Sequence, residues 1–166
     1  AMRAEDQPDY EWVFRVSFAS ITRTVFLILH DRAAAEEITQ EAFIKLLQRW
    51  DAVAGYDHPQ AWVRKVAVRM AVRYAQREGR RPATEARAMG LAAVRPADPA
   101  LDVADAVRDL APMQRVVVVL HYFEDRSVHE IAHTLKVSES TVKQHLYRAR
   151  ARLAQVLGEE VASDVR

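Results

Sequence analysis

Apolar residues in this chain recur at steps of three and four over long segments. Phe14, Phe18, Ile21, Val25 and Ile28 do so, as do Val142, Leu146, Ala149 and Leu153. That period puts side chains on one face of an α-helix and does not fit the two-residue alternation of a half-buried strand. Breakers are scarce, with 4 Gly and 6 Pro in 166 residues, whereas a many-turned β fold needs turn residues at short intervals. An all-α chain is expected. Half of its residues are hydrophobic, enough to bury a core.

The pattern divides the chain into segments. A first helix is expected from about Asp9 to Leu29, and a second from Asp31 to about Trp50. Ile38, Ala42, Phe43, Leu46, Leu47 and Trp50 would form the inner arc of the second, with Glu37, Gln40, Glu41, Ile44 and Gln48 on the other side. Gly55, Tyr56, Asp57 and Pro59 mark Asp51–Gln60 as a loop. A third helix should run from Pro59 to Glu78, with Val63, Ala67, Met70 and Tyr74 toward a core. Pro82, Pro96 and Pro99 then interrupt Gly79–Ala100, which has little apolar periodicity and leaves room for a short helix within Thr84–Ala93. It reads as an interdomain linker. The expected architecture is two small helical domains, 9–80 and 101–158, joined through 81–100.

Four shorter helices are expected in the second domain. One spans about Asp102–Leu110, and the next starts near Pro112, a residue tolerated in a first helical turn, and runs to about Tyr122. Ser127 and Glu130 have capping-box spacing, followed by the stripe Val128, Ile131, Ala132 and Leu135. After Lys136-Val137, Ser138 suits the N-cap of a last helix. Two short helices joined by a tight turn, the second basic, form a helix-turn-helix pattern. With Val142, Leu146 and Ala149 inward, Ser140, Gln144, Tyr147, Arg148 and Ala151 face outward, beside Lys143. Small and amide side chains near such a helix start can reach base edges, and Lys and Arg further along can neutralise phosphates.

Charge is unevenly spread. Between Trp62 and Arg81, Arg64, Lys65, Arg69, Arg73, Arg77, Arg80 and Arg81 stand against Glu78 alone; between Lys136 and Arg152, five cations stand against Glu139. Two separated basic stretches suit two contacts with a polyanion, although solvated helix faces produce the same count. Lys65, Arg69, Arg73 and Arg77 fall four apart, a stripe that drifts slowly around the third helix. Tyr56, His58 and Trp62 precede it. Aromatic rings beside a basic stripe suit single-stranded DNA, whose unstacked bases pack on them. Trp62 fits better as a staple at the helix start.

Several classes are excluded or disfavoured. The chain has no cysteine, so disulfide scaffolds, thiolate zinc sites and Cys nucleophiles are out. No apolar run is longer than that of Val116–Leu120, which is too short to span a bilayer, so membrane insertion is not expected. His129-Glu-Ile-Ala-His133 matches the zinc-protease signature H-E-x-x-H. A third protein ligand in a shaped cavity is needed as well, and Glu159 lies past the expected end of the last helix. No catalytic residue, metal or cofactor is expected.

The resemblance to a known family rests on an ordered set of motifs. Asp31-Arg-Ala-Ala-Ala-Glu-Glu-Ile-Thr-Gln-Glu-Ala-Phe, followed by Trp50, resembles the region-2 helix of extracytoplasmic-function (ECF) sigma factors. Pro59-Gln-Ala-Trp-Val-Arg-Lys-Val-Ala resembles the start of their promoter-melting helix. Gln114 through Ala132, then Thr141-Val-Lys and Arg148-Ala-Arg, resemble their region 4. The resemblance implies a cytoplasmic transcription initiation factor that is not an enzyme and whose partners are core RNA polymerase, promoter DNA and an anti-sigma protein. Glu37, Gln40, Glu41 and Ile44 would dock on the polymerase clamp. Tyr56, Asp57 and His58, in the loop beginning at Asp51, would take a base flipped from the −10 element. Lys65, Arg69 and Arg73 would hold the upstream edge of the bubble, and Ser140, Thr141, Lys143, Gln144 and Arg148 would read or grip the −35 element. Arg69 stands where the family usually has Asn, Ser140 where it often has Gly, and Gln144-His145 where Ser-Arg is usual; these departures bear on the promoter sequence rather than the architecture. The stretch from Val137 to Leu146 is also similar to LuxR-type regulators, an alternative that would leave the melting-helix pattern unexplained. A sigma mimic that binds only anti-sigma proteins should lose basic recognition residues, whereas Lys143 and Arg148 are present.

Overall fold

The computed structural model describes residues 9–79 and 99–158, and no strand occurs among them. Apart from Pro99 and Ala100, the expected linker over 81–100 lies outside the described residues, as does the short helix considered within Thr84–Ala93. The chain forms two compact units that divide between Ala71 and Val72.

In the first unit, α1 (Tyr10–Leu29) and α2 (Arg32–Gln48) are joined by His30 and Asp31 alone. So short a connection makes an antiparallel helical hairpin. Each start has an aspartate N-cap: Asp9 Oδ1 accepts from the Trp12 N–H at 2.7 Å, and Asp31 Oδ1 from the Ala34 N–H at 3.0 Å. Both satisfy a donor that has no partner inside the helix. His30 ends α1 in the left-handed region, at φ 52°. α3 (Trp50–Val53) is one turn that takes in Trp50, the expected end of the second helix, and the start of the expected loop; α4 (Pro59–Glu78), which the division cuts after Ala71, has the expected bounds.

The core of this unit is set by the helical period. Val13, Ile21, Val25 and Ile28 of α1 are fully buried, with Ser17 and Thr24 on the same face. On α2, Ala35, Ile38, Ala42, Phe43 and Leu46 are buried, and on α4 Val63, Ala67, Val68 and Ala71; α1 packs against α2. The buried face of α1 is thus turned toward Val13 and Ser17, and Phe14, expected inside, is 40% exposed. Phe14 belongs to an aromatic cluster at the rim, with ring centroids 4.8 Å from Phe18 and 5.1 Å from Phe43. α1 is long and apolar enough to cross a membrane by length and composition. Here its buried stripe packs against α2 and includes two hydroxyl side chains, as in a core helix.

Leu47 departs most from expectation. The sequence pattern puts it on the inner arc of α2, but it is 57% exposed. Leu46 already points to the core, and the next residue is turned by about 100°, which aligns Leu47 with Gln40 and Ile44. On α4, Val68, Ala71 and Ala75 are buried, while Met70 and Tyr74 are half-buried.

The second unit contains α5 (Pro99–Arg108), α6 (Pro112–Val118), a π-helical turn (Val119–Phe123), α7 (Val128–Leu135) and α8 (Glu139–Leu157). Val116 through Leu120 are five consecutive buried residues, so this segment is apolar all round and forms the centre of the unit. The α-helix expected to continue to Tyr122 widens after Val118. The Glu124 N–H reaches back five residues to Val119 O, at 3.1 Å. Ile131 and Ala132 of α7 and Val142, Leu146, Ala149 and Leu153 of α8 complete the core, with the α8 stripe as expected.

Candidate nucleic-acid interface

The capping box of α7 is formed in both directions. Ser127 Oγ accepts from the Glu130 N–H at 3.1 Å, and Glu130 Oε2 accepts from the Ser127 N–H at 2.8 Å. These bonds hold the Glu130 carboxyl below the usual range, with the Ser127 backbone as the leading cause and Arg126 adding to it. α7 closes on Lys136, left-handed at φ 56°, and α8 opens on Ser138, whose Oγ accepts from the Thr141 N–H at 3.1 Å. The turn between the two helices is therefore three residues long and fixed at both ends. Ser138 Oγ also lies 2.9 Å from Ser140 Oγ and 2.8 Å from Thr141 Oγ1.

The outward face of α8 is the expected one. Ser140, Lys143, Gln144, Arg148 and Ala151 are exposed, Tyr147 is 74% exposed, and Thr141 is half-buried. Ser140 to Arg148 spans about 12 Å of helix, at 1.5 Å per residue. That ridge carries hydroxyl, amide and aromatic groups with cations beside and beyond them. Arg150, counted with the basic residues in the sequence, is instead used within the unit. Its Nε donates to Tyr122 Oη at 2.7 Å, and its guanidinium lies 5.8 Å from the ring centroid.

His145 sits at the edge of this face. Its Nδ1 is buried with no hydrogen-bond partner in the protein. Burial, then the nearby Arg148 charge, pushes its pKa below the ordinary histidine value. Arg115 Nε is likewise buried and unpartnered, and burial lowers its pKa while Asp109 opposes the shift. Among the described residues no cluster of three or more His, Cys, Asp or Glu could hold a metal. His129 instead meets Glu139, with Nδ1 and Oε1 2.8 Å apart.

In the first unit, Tyr56, Asp57 and His58 are exposed on the loop that leads directly into α4. Arg73 is exposed, while Lys65 and Arg69 are half-buried. Trp62, at the start of the same helix, is half-buried, as a staple would be. Arg64 faces away from this stripe: Nη2 donates to Ser20 Oγ at 2.9 Å and Nη1 to Thr24 Oγ1 at 3.3 Å. On the outer face of α2, Glu37, Gln40, Glu41 and Ile44 are all exposed, and Lys45 pairs with Glu41 at 3.3 Å. Leu47 joins them, so Ile44 and Leu47 make an apolar strip within polar surroundings. Sequence reasoning missed Leu47 and Arg64. The i+3 step from Ile44 was the available signal for the first; no local signal existed for the second, because its partners lie 40 and 44 residues away.

Two family models match the chain: Sigma-70 region 2 over residues 18–81 and Sigma-70 region 4 over 100–153. An RNA polymerase sigma-E factor of Streptomyces avermitilis is 30% identical over 153 residues, covering 90% of this chain and 85% of its own. The sigma-E factor of Streptomyces antibioticus is 32% identical over 154 residues, covering 90% and 84%. A solved structure of the sigma factor RpoE in complex with the anti-sigma factor NepR, from Bartonella quintana, has a similar fold. Its TM-score is 0.68 at 19% identity, with 90% of this chain and 96% of that one covered. These matches run through both units and leave the LuxR-type alternative without support. The chain belongs to the sigma-70 family as a small ECF sigma factor, which binds core RNA polymerase and promoter DNA to initiate transcription.

Proposed function

We propose that residues 9–80 act as the region-2 domain, 101–158 as the region-4 domain and 81–100 as their linker. In the first, Glu37, Gln40, Glu41 and Ile44 dock on the polymerase clamp, with Leu47 extending that contact. Tyr56, Asp57 and His58 receive the −10 base. Lys65, Arg69 and Arg73 hold the edge of the melted bubble. In the second, Ser140, Thr141, Lys143, Gln144 and Arg148 read or grip the −35 element.

The observation that carries this reading is the outward ridge of α8, with Gln144 and Arg148 exposed one turn apart behind a three-residue turn. In a helix-turn-helix that end of the second helix enters the major groove. The protein is inferred to have no enzymatic activity of its own and to work in the cytoplasm, where core polymerase is found. An anti-sigma protein is inferred as its third partner, consistent with the Bartonella relative in fold, which was solved with one.

Run-off transcription with core polymerase on a promoter library tests the reading. Transcripts that depend on this chain and share −10 and −35 sequences are expected. Replacing Lys65, Arg69 and Arg73 with Ala should reduce open-complex formation on duplex promoters more than on a pre-melted bubble. Equal losses on both templates would leave these side chains with general DNA affinity only.

A further inference from the structure

The His129–His133 segment has no part in the assignments above, yet its first histidine makes a specific contact. His129 is the second residue of α7 and Glu139 the first of α8. Their side chains meet across the turn, Nδ1 to Oε1, at 2.8 Å. The pair is on the surface: His129 is 82% exposed and Glu139 49%. It therefore links the N-terminal ends of both helices of the helix-turn-helix without being part of the core.

A carboxylate in a first helical turn is ordinary, but docking on DNA puts a further demand on this one. When such a unit docks, the first helix crosses the DNA backbone and the start of the second enters the groove. A bare carboxylate there would face phosphates of the same sign. The hydrogen bond also fixes the chemistry of the ring. An ionised carboxylate only accepts, so Nδ1 is the donor. In the neutral imidazole Nε2 then holds a lone pair and cannot donate to a phosphate oxygen. Once the ring is protonated, Nε2 becomes a donor while Nδ1 keeps Glu139.

We propose that His129 is a DNA-phosphate contact of the helix-turn-helix, oriented by Glu139, and that binding of the −35 element takes up a proton at its imidazole. This rests on the reading of α8 as the DNA-facing helix. The other charged groups nearby do not supply that phosphate contact. Glu130 is held by the Ser127 N–H and Arg126. His133 and Lys143 lie one turn further along their own helices, and Lys136 is in the turn. His129 thus has a use that needs no metal.

The test is binding of the full chain to a −35 duplex by fluorescence anisotropy, in salt series at about pH 6 and about pH 8, on either side of the ordinary histidine range. The wild type should bind more tightly at the lower pH, with a salt slope steeper by about one phosphate contact. His129→Ala should remove that difference without loss of helicity. His129→Lys, a permanent cation, should keep the steeper slope at both pH values. Equal pH dependence and salt slope in wild type and His129→Ala would overturn the proposal. So would an equal loss of affinity at both pH values together with lower thermal stability, the mark of a structural brace. Arg148→Ala is the control. If it lowers the slope while His129→Ala does not, this inference alone fails; if neither does, the reading of α8 fails with it.

Discussion

Arg64 and Lys65 are adjacent cations on α4; Arg64 is bonded within the fold, Lys65 is proposed to meet DNA, and that difference is measurable. Arg64 ties α4 to α1 through Ser20 Oγ at 2.9 Å and Thr24 Oγ1 at 3.3 Å. Arg64→Met keeps most of the aliphatic stem and removes the guanidinium. Hydrogen bonds to a charged group contribute roughly 1.5–3 kcal/mol each when buried. Here the side chain is only half-buried and the second bond is long, so solvent screening reduces the value. Both hydroxyls also keep a second bond, Ser20 Oγ donating to Ser17 O and Thr24 Oγ1 to Ser20 O, so no buried donor is stranded. A net loss of about 1–2 kcal/mol follows. For a domain of this size that lowers Tm by roughly 4–8 °C per kcal/mol. Thermal unfolding followed by circular dichroism measures it. The partner measurement is the salt dependence of single-stranded −10 DNA binding by the holoenzyme. It should be unchanged in Arg64→Met and reduced by about 0.7 per phosphate contact in Lys65→Met. If Arg64→Met lost a phosphate contact and kept its stability, α4 would be rotated relative to α1 from the arrangement described.

Other outcomes follow from the same geometry. Leu47→Ala should weaken association with core polymerase while changing stability by less than about 0.5 kcal/mol, as expected of an exposed site; titration with core enzyme and thermal melts would show it, and unaltered affinity would remove Leu47 from the clamp contact. Gln144→Ala should relax discrimination at one −35 position by about 1–3 kcal/mol, whereas Arg148→Ala should weaken all sequences alike and lower the salt slope by about one unit; both are read from binding to −35 variants, and exchanged phenotypes would mean that α8 sits differently in the groove. His145, with its pKa depressed by burial, favours folding when neutral. That contribution is complete above the unfolded histidine value and is lost as pH falls through the lower folded value. Stability should therefore decline on mild acidification in the wild type and decline less in His145→Gln, as chemical denaturation at stepped pH would reveal.

Much of this architecture was legible because its determinants are local. Helix starts at Asp9, Asp31, Ser127 and Ser138 are set by a side chain reaching the N–H three residues on, and such caps are visible in a sequence window of that length. The stripe of α8 needed no correction because Val142, Leu146, Ala149 and Leu153 keep a single helical phase, off which the exposed Tyr147 lies. α1 and α2 were harder. They carry more apolar residues than one face can bury, so periodicity alone could not choose between Val13 and Phe14 or reject Leu47. The links made by Arg64 to α1 and by Arg150 to Tyr122 depend on residues brought close only by folding. In the sequence both arginines counted as free positive charge. Within the site, helical phase identified the outward residues of α8, but not that His129 and Glu139 would meet across the turn.

The π-helical turn at Val119–Phe123 has a consequence for how this chain could vary in length. A π-turn holds one residue more than the α-turn joining the same two ends, and such turns arise mostly as single-turn bulges in otherwise α-helical segments. Ordinary helices tolerate substitution but not the gain or loss of a residue, since every later side chain then rotates by about 100°. At this turn the surplus residue is already absorbed before the helix-turn-helix begins. A one-residue deletion among His121–Phe123, past the buried Val119 and Leu120, would return the segment to α geometry and leave α7 and α8 in phase. The same deletion one turn earlier, among Val116–Val118, would turn the packed centre of the domain out of register. Length variation among close relatives of this protein should therefore concentrate at the π-turn.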